Sequence, residues 1–202
     1  MNKMFHSLKL FFHLNLVLVT VLFITSCSTP GKQSGYDRDD WGTSWKVKNC
    51  RSVRDRLLIN SALKAPVLDK KGCKVKYGVW IDYYTGEKIT LSDKPEIDHV
   101  VPIKYAHSIG GDRWSKKKKS RFYQDIENLV ITSKSLNSSK GAKSFVDWSP
   151  ASRKISCDYA HRWIIVKTKY SLSFSSAECF NFKALEESKP CPRPLPKINT
   201  CG

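Results

Sequence analysis

The sequence predicts an α+β domain that is exported and held together by disulfide bonds. Three observations support this prediction: a secretory signal at the N-terminus, an even set of cysteines after it, and short strand-like runs followed by a helical C-terminal third. The chain has 202 residues and a formal net charge of +17. Removing the signal leaves about 176 residues and a charge of about +15, which suits a single domain with its own core.

The N-terminal segment has the pattern of a lipoprotein signal. Lys3 and Lys9 precede an apolar run from Leu10 to Ile24, and small residues then lead to Cys27. This ending resembles the lipobox of bacterial lipoproteins, in which the cysteine is lipidated and becomes the mature N-terminus. The alternative is an uncleaved anchor helix, because the apolar run is near the lower length limit for crossing a bilayer. In both cases the rest of the chain is exported.

The lipoprotein interpretation divides the chain into three parts. We expect a signal peptide over residues 1–26, a lipidated cysteine with a short polar tether over residues 27–35, and a folded domain over residues 36–202. The lipid would attach the domain to the cell envelope. Ser28 stands where lipoproteins retained in the inner membrane of enteric bacteria carry aspartate. We therefore expect the outer membrane, facing the periplasm or the cell surface.

The folded part begins with a predicted helix and a hairpin. Residues 51–63 place their apolar side chains on one helical face, with Pro66 just beyond. Residues 73–82 alternate as a half-buried strand, a turn follows at residues 84–86, and a partner strand starts at Lys88. The alternation places one set of side chains together on one face of the first strand: Val75, Tyr77, Val79 and Ile81.

The segment EIDHVVPIKYAH, residues 96–107, starts like a buried strand and yet contains two polar residues side by side, Asp98 and His99. Pro102 ends the strand, and a short helix follows. Neighbours on a regular strand point to opposite faces, so the strand must break locally for both residues to serve one site. A buried charge also needs a partner or a metal, which makes this pair the first candidate for a functional site.

Another short strand and two helices complete the domain. The apolar run LVIT after Asn128 predicts the strand. In the C-terminal third, large apolar residues recur at helical spacing and form one buried stripe: Ile155, Tyr159, Trp163, Val166 and Tyr170. Ser175 and Glu178 form a capping box that starts the last helix. We expect these two helices to pack as a C-terminal hairpin.

Six cysteines follow Cys27, and an even number in an exported chain suggests three disulfides out of 15 possible connectivities. In a hairpin that turns near Leu172, Cys157 lies roughly 20 Å from the turn at about 1.5 Å per residue, whereas Cys179 lies close to it. Bridged cysteines need Cα atoms within about 7 Å, so Cys157 is able to pair with Cys191 and not with Cys179. The simplest completion gives the pairs Cys50–Cys73, Cys157–Cys191 and Cys179–Cys201. A zinc site is disfavoured because the chain contains no CxxC pair.

Residues 126–144, IENLVITSKSLNSSKGAKS, supply polar groups that complete a motif with Asp98-His99: Asn128, Asn137 and Lys140. The set in this order resembles the HNH, or His-Me finger, nuclease motif, in which two strands and a helix hold one metal ion. More closely, it is similar to exported bacterial HNH endonucleases related to the nuclease domain of GmrSD-type restriction enzymes. Flanking segments, among them GVWIDYYTG at residues 78–86, extend the resemblance over roughly residues 36–191. It implies a ββα-metal core with flanking helices and a C-terminal helical hairpin.

The resemblance implies a role for each motif residue. His99 is expected to act as the general base, since imidazole titrates close to working pH. Asp98 and Asn137 would ligate a hard divalent cation through oxygen, Mg²⁺ or another such as Mn²⁺, and the metal would stabilise the transition state. Asn128 would pin the loop that orients His99. Lys140 would lie near the scissile phosphate and neutralise its charge.

A basic run lies between the two halves of the motif, at residues 113–121. We expect its side chains to contact the phosphate backbone of DNA, and such contacts carry little or no sequence specificity. The expected contact residues are Arg113, Lys116, Lys117, Lys118, Lys119 and Arg121.

Together these observations predict a lipid-anchored, metal-dependent HNH endonuclease that hydrolyses phosphodiester bonds in DNA outside the cytoplasm. We expect a monomer whose HNH nuclease domain spans residues 36–202 and which needs no small-molecule cofactor; cleavage of RNA stays open. Two alternatives remain. One is a DNA-binding envelope lipoprotein without catalytic activity, and the other is an envelope structural protein whose positive charge binds acidic polymers.

Overall fold

The structure is a computed structural model, and it describes residues 35–202. The expected signal peptide, Cys27 and nearly all of the tether lie outside the described residues, so the lipoprotein assignment stays a prediction. Within residues 35–202, no helix combines the length and the apolar character needed to cross a membrane.

Short strands and helices are interspersed along the described chain. The strands are β1 (Val47–Lys48), β2 (Arg51–Ser52), β3 (Val67–Leu68), β4 (Val75–Tyr77), β5 (Val79–Ile81), β6 (Lys88–Thr90), β7 (Glu96–His99) and β8 (Leu129–Thr132). The helices are α1 (Val53–Ser61), α2 (Ile103–Ser108), α3 (Lys116–Tyr123), α4 (Lys134–Lys140), α5 (Arg153–Tyr170) and α6 (Ser176–Ser188). The strands pair as antiparallel two-stranded ribbons, β1 with β2, β3 with β4, β5 with β6, and β7 with β8. The predicted α+β class is therefore confirmed.

The half-buried strand expected over residues 73–82 is divided at Gly78, and its buried face differs from the expected one. β4 pairs with β3, whereas β5 pairs with β6. Trp80 is fully buried and its indole Nε1 donates to a carbonyl of α1 at 2.7 Å, whereas Tyr77 and Ile81 are 54% and 39% exposed. The indole lies against Gly78, where an added Cβ would come within 2.5 Å of the ring. Burial of the largest side chain outweighs the alternation of the smaller ones.

The β7–β8 ribbon and α4 follow one another in the order strand, strand, helix. The register pairs Asp98 with Val130 and His99 with Leu129, so β7 continues through both motif residues. The strand ends directly after His99, so the local break that a shared site requires falls after the pair and before Pro102. α4 packs against β7 and brings the second half of the motif to this strand.

Helix α5 lies in the main hydrophobic core and carries the predicted stripe. Four stripe residues are buried: Tyr159, Trp163, Val166 and Tyr170. Ile155, near the start of the helix, is only half-buried. α6 begins with the predicted capping box, in which the Glu178 amide donates to the Ser175 hydroxyl and the Ser175 amide donates to the Glu178 carboxylate.

Disulfides hold both ends of the described domain: Cys50–Cys73, Cys157–Cys191 and Cys179–Cys201. The Cys157–Cys191 pair is the one that the hairpin geometry allowed, and the other two are the pairs of the simplest completion. The second joins α5 to the segment after α6, and the third joins α6 to the C-terminus. Their sequence separations of 23, 34 and 22 residues correspond to about 3 to 4 kcal/mol of stabilisation each, by the loop-closure relation.

Candidate active site

His99 stands at the end of β7 with its imidazole in a defined hydrogen-bonded state. Its Nε2 lies 2.9 Å from the Tyr123 carbonyl oxygen. A carbonyl only accepts hydrogen bonds, so Nε2 carries the hydrogen and Nδ1 is left as the proton acceptor of the ring. Burial lowers the pKa of His99 to about 4, although the Tyr123 carbonyl and the nearby Asp98 act in the opposite direction. The imidazole is therefore neutral near pH 7 and able to take up a proton.

Aromatic rings hold the plane of the His99 imidazole. The ring lies nearly parallel to Trp45, with centroids 6.0 Å apart and an angle of 19°, and to Phe122, at 6.4 Å and 7°. The Tyr123 ring completes the contact at 5.3 Å. Stacked rings of this kind restrict rotation of the imidazole, so the direction of Nδ1 is set by packing as well as by the hydrogen bond to Nε2.

Asp98 precedes His99 on the strand and is bound by two donors. Its Oδ2 accepts from the Tyr84 hydroxyl at 2.7 Å and from the Lys140 ammonium at 2.8 Å. Burial raises the pKa of Tyr84 well above its usual range, with Asp98 adding to the effect, so this hydroxyl stays protonated and donates. These contacts hold the Asp98 carboxylate in one orientation.

Lys140 is a motif residue whose charge lies inside the domain. We expected it beside the scissile phosphate, but its side chain is fully buried. Its Nζ donates to the His99 carbonyl at 2.7 Å and pairs with Asp98, so its charge is already neutralised inside the domain. Burial lowers the pKa of Lys140, and Asp98 opposes that shift. Lys140 therefore joins α4 to the strand that carries Asp98 and His99. Its expected position near the scissile phosphate stays a prediction.

Asn128 is fully buried and binds the segment that follows His99. Its Oδ1 accepts from the Val101 amide at 2.8 Å, and its Nδ2 donates to the Val101 carbonyl at 3.2 Å. Its own carbonyl accepts from the Val100 amide at 2.8 Å. Such a set of three bonds restrains the chain directly after His99, in agreement with the structural role expected for Asn128.

Asn137 lies on α4 and is half-buried, with its Nδ2 donating to Glu96 Oε2 at 2.7 Å. Asn137, Asp98 and His99 line one cavity of about 280 Å³. Although Asp98 and His99 are consecutive on a regular strand, both border this cavity at the point where the strand ends. The cavity also has cationic side chains from elsewhere in the chain, Arg38 and Lys104.

The donors at this cavity fit a hard divalent cation better than zinc. Asp98 offers a carboxylate of which the two described contacts use one oxygen, Oδ2, and Asn137 offers an amide oxygen. Carboxylate and amide oxygens are ligands that Mg²⁺ accepts while keeping several waters. Among residues 35–202, no three His, Cys, Asp or Glu side chains come together in a way that would hold a metal ion. A cation here would take two protein ligands.

The basic run at residues 113–121 is only partly available to a ligand. Lys119 is buried, with its Nζ 3.5 Å from the Asp40 carboxylate. Lys118 is half-buried and donates to the Tyr170 carbonyl at 2.9 Å. α3 turns these two side chains toward the protein, so the structure lends no support to their expected DNA contacts, which stay predictions. Four expected residues are exposed: Arg113, Lys116, Lys117 and Arg121.

The cations nearest the motif were not assigned from sequence. Arg38 and Lys104 border the cavity, and Arg54 and Lys94 lie in a groove beside it. They come from four separate segments and form no charge run, so no local pattern indicates them. Two of them do lie in flanking segments of the family resemblance, Arg38 in residues 36–38 and Arg54 in the helix that follows Cys50.

The chain is thus a disulfide-bonded α+β domain whose cavity is bordered by a carboxylate, a buried imidazole and an amide. Residues 53–178 match the family model for the C-terminal domain of GmrSD restriction endonucleases. The match covers more than half of the chain, and the chain belongs to this family. Membership suggests a nuclease-related function.

A curated relative supports export. A protein of Arthroderma benhamiae described as an uncharacterized secreted protein is 30% identical over 150 residues, which is 73% of this chain and 72% of that protein. The secreted relative and the three disulfides both suggest that this chain is exported. No solved structure matches the chain significantly.

Proposed function

We propose that the chain is a metal-dependent endonuclease of the HNH type that hydrolyses phosphodiester bonds in DNA, with His99 as general base. The observation that carries the proposal is the shared cavity of Asp98, His99 and Asn137, beside Arg38 and Lys104. An acceptor nitrogen, two oxygen donors and two cations around one cavity suit an attack on a phosphodiester. β7, β8 and α4 would then be the ββα-metal unit.

His99 would activate the attacking water. Its Nδ1 takes a proton from the water, the water oxygen forms a bond to phosphorus, and the bond from phosphorus to the leaving oxygen breaks. The Tyr123 carbonyl keeps the hydrogen on Nε2, and Asn128 restrains the segment after His99. These contacts hold the imidazole in one orientation, so that Nδ1 always faces the same direction. A fixed orientation of the base is a condition for efficient proton transfer.

Asp98 and Asn137 would hold the divalent cation, Mg²⁺ or Mn²⁺. When bound, the cation would offset the charge that develops on the phosphoryl group and the leaving oxygen. Tyr84 and Lys140 would orient the Asp98 carboxylate through their hydrogen bonds to Oδ2. Metal-ligating side chains are commonly held in this way by residues that do not contact the metal. Arg38 and Lys104 would meet the phosphate.

The remaining expectations complete the proposal. Arg113, Lys116, Lys117 and Arg121 would bind the DNA backbone without sequence specificity. Lipidation at Cys27 would anchor a monomeric enzyme to the cell envelope, at the outer membrane. Cleavage of DNA outside the cytoplasm spares the chromosome of the cell that makes the enzyme.

The test is cleavage of supercoiled plasmid by the exported, disulfide-bonded protein with Mg²⁺ or Mn²⁺. We expect nicking that EDTA and His99→Ala both abolish. His161→Ala is the matched control, because His161 is also buried but hydrogen-bonds with Arg193 and does not line the cavity. Binding without cleavage under every metal condition would refute the endonuclease and favour the DNA-binding lipoprotein.

A further inference from the structure

A groove of about 560 Å³ adjoins the proposed catalytic cavity. Arg38, Ile97 and Asn137 line both, so the groove and the cavity are continuous. The groove is also lined by Trp45, Arg54, Lys94, Glu96 and Tyr123.

The groove carries an excess of positive charge. Its cations are Arg38, Arg54 and Lys94, and its one lining carboxylate is Glu96, whose Oε2 already accepts from Asn137. Arg38 and Lys94 are exposed, so their charges are available to a ligand. Three cations against one carboxylate in a concave surface favour an anionic ligand such as a phosphodiester.

Trp45 places a half-buried aromatic ring in the groove. The indole stacks on Tyr123, with ring centroids 4.9 Å apart at 27°, and lies nearly parallel to the His99 ring at 6.0 Å. The side chain of Gln124 holds the backbone on both sides of Trp45: its Oε1 accepts from the Lys46 amide at 3.0 Å and its Nε2 donates to the Ser44 carbonyl at 2.9 Å. The indole is therefore held in place although the segment around it is largely exposed.

Lys94 is held in an unfavourable backbone conformation at the edge of the groove. It follows the 3-10 turn Leu91–Asp93 with φ 51°, in the left-handed region where glycine is preferred. Its backbone would be more stable as glycine, so the lysine side chain stands here against a local conformational preference.

We propose that the groove binds an unpaired nucleotide next to the scissile phosphate, with its base stacked on Trp45 and its phosphate on Arg38 and Lys94. The inference rests on the proposed function and narrows its substrate to strands with unpaired bases. A base paired within a duplex keeps its faces in the stack, so it cannot place one on Trp45. Aromatic rings beside cations are the usual composition of sites for single-stranded nucleic acid.

The test measures binding in EDTA, so that it does not depend on catalysis. Fluorescence anisotropy compares a labelled single-stranded oligonucleotide with the duplex of the same sequence. We expect wild type to bind the single strand more tightly, and Trp45→Leu to weaken that binding by roughly 5- to 100-fold while leaving duplex binding unchanged. Trp45→Phe retains a ring and should keep most of the affinity.

Lys94→Gly is an independent variant. We expect it to raise the melting temperature, because glycine suits the backbone conformation, and to weaken single-strand binding, because a cation is lost. Its matched control is Lys76→Ala, an exposed lysine on β4 that does not line the groove. If Trp45→Leu does not fold, Lys94→Gly decides: weaker binding with a retained melting temperature supports the proposal, and unchanged binding overturns it.

Equal affinity of wild type for single strand and duplex would overturn the proposal, and so would unchanged single-strand affinity in folded Trp45→Leu. Plasmid nicking that persists in either case leaves the endonuclease in place without this groove. Trp45-dependent binding without any cleavage would instead refute the endonuclease and leave the groove as a nucleic-acid site.

Discussion

Two buried lysine–carboxylate pairs in this domain have the same geometry and different surroundings. Lys140 with Asp98 and Lys167 with Glu178 both have an N–O distance of 2.8 Å, and both lysines are fully buried. Glu178 lies between α5 and α6, where its two oxygens accept from Lys167, from the Trp163 indole and from the Ser175 amide. Asp98 uses Oδ2 for both of its described donors and borders a cavity.

The difference between the two pairs lies in the carboxylate, not in the lysine. Glu178 is enclosed and its hydrogen-bonding capacity is used by packing partners, so the pair joins two helices and caps one of them. Asp98 is oriented in a similar way but faces a space that a ligand is able to enter. We therefore expect the Lys140–Asp98 pair to affect both activity and stability, and the Lys167–Glu178 pair to affect stability alone.

The largest effect on stability should come from Lys167→Met. It leaves Glu178 as an unpaired charge in the core, which should lower the free energy of unfolding by about 3 to 5 kcal/mol. Urea denaturation under oxidising conditions measures this. Lys183→Met is the control, because Lys183 is exposed on α6 and its ion pair within residues 35–202 is with the exposed Glu187. A loss no greater than that of an exposed pair, about 1 kcal/mol or less, would contradict the prediction.

Lys140→Met should combine a smaller loss of stability with a loss of activity. Asp98 borders a cavity that water reaches, so the loss should be at the low end for a buried pair, about 3 kcal/mol. Cleavage by the folded fraction should fall roughly 10- to 100-fold, because Asp98 loses an orienting partner. Full activity in folded Lys140→Met would show that this pair is as purely structural as the other.

Tyr84→Phe removes the second donor to Asp98 and should cost about 1.5 to 3 kcal/mol, the range for a hydrogen bond to a charged group. We expect kcat to fall with KM unchanged, since Tyr84 does not line the cavity. Tyr159→Phe is a matched control, because the buried Tyr159 hydroxyl has no hydrogen-bond partner among the residues that the structure describes. Equal effects of the two variants on kcat would argue against a role for Tyr84.

The smallest effect should be stabilisation by the metal itself. Mg²⁺ at ten times its dissociation constant should stabilise the wild type by about 1.4 kcal/mol, seen as a higher melting temperature. Asp98→Asn should remove this increase, and Glu178→Gln should retain it despite its lower starting stability. An increase that survives Asp98→Asn would place the cation elsewhere.

Features that depend on neighbouring residues could be predicted from the sequence. The Ser175–Glu178 capping box, the helical stripe of α5 and the LVIT strand each follow from spacing within a few residues. The Cys157–Cys191 disulfide agrees with the depth of these cysteines along a helical hairpin, whereas the other two pairs were the simplest completion. The alternation at residues 73–82 predicted the wrong buried face. The large indole of Trp80 packs on Gly78 and is buried, although the alternation placed it on the exposed side.

The sequence by itself determined the α+β class, the expectation of three disulfides and the order of the motif residues. These features depend on local periodicity, on the cysteine count and on the order of residues along the chain. Only the tertiary structure decided what the motif residues touch. Lys140 reaches the His99 carbonyl across 41 residues, and the Tyr84 hydroxyl reaches Asp98 across 14. Such contacts depend on how separate elements pack, which no local pattern encodes. Packing therefore buried Lys140 and brought Arg38 and Lys104 to the cavity.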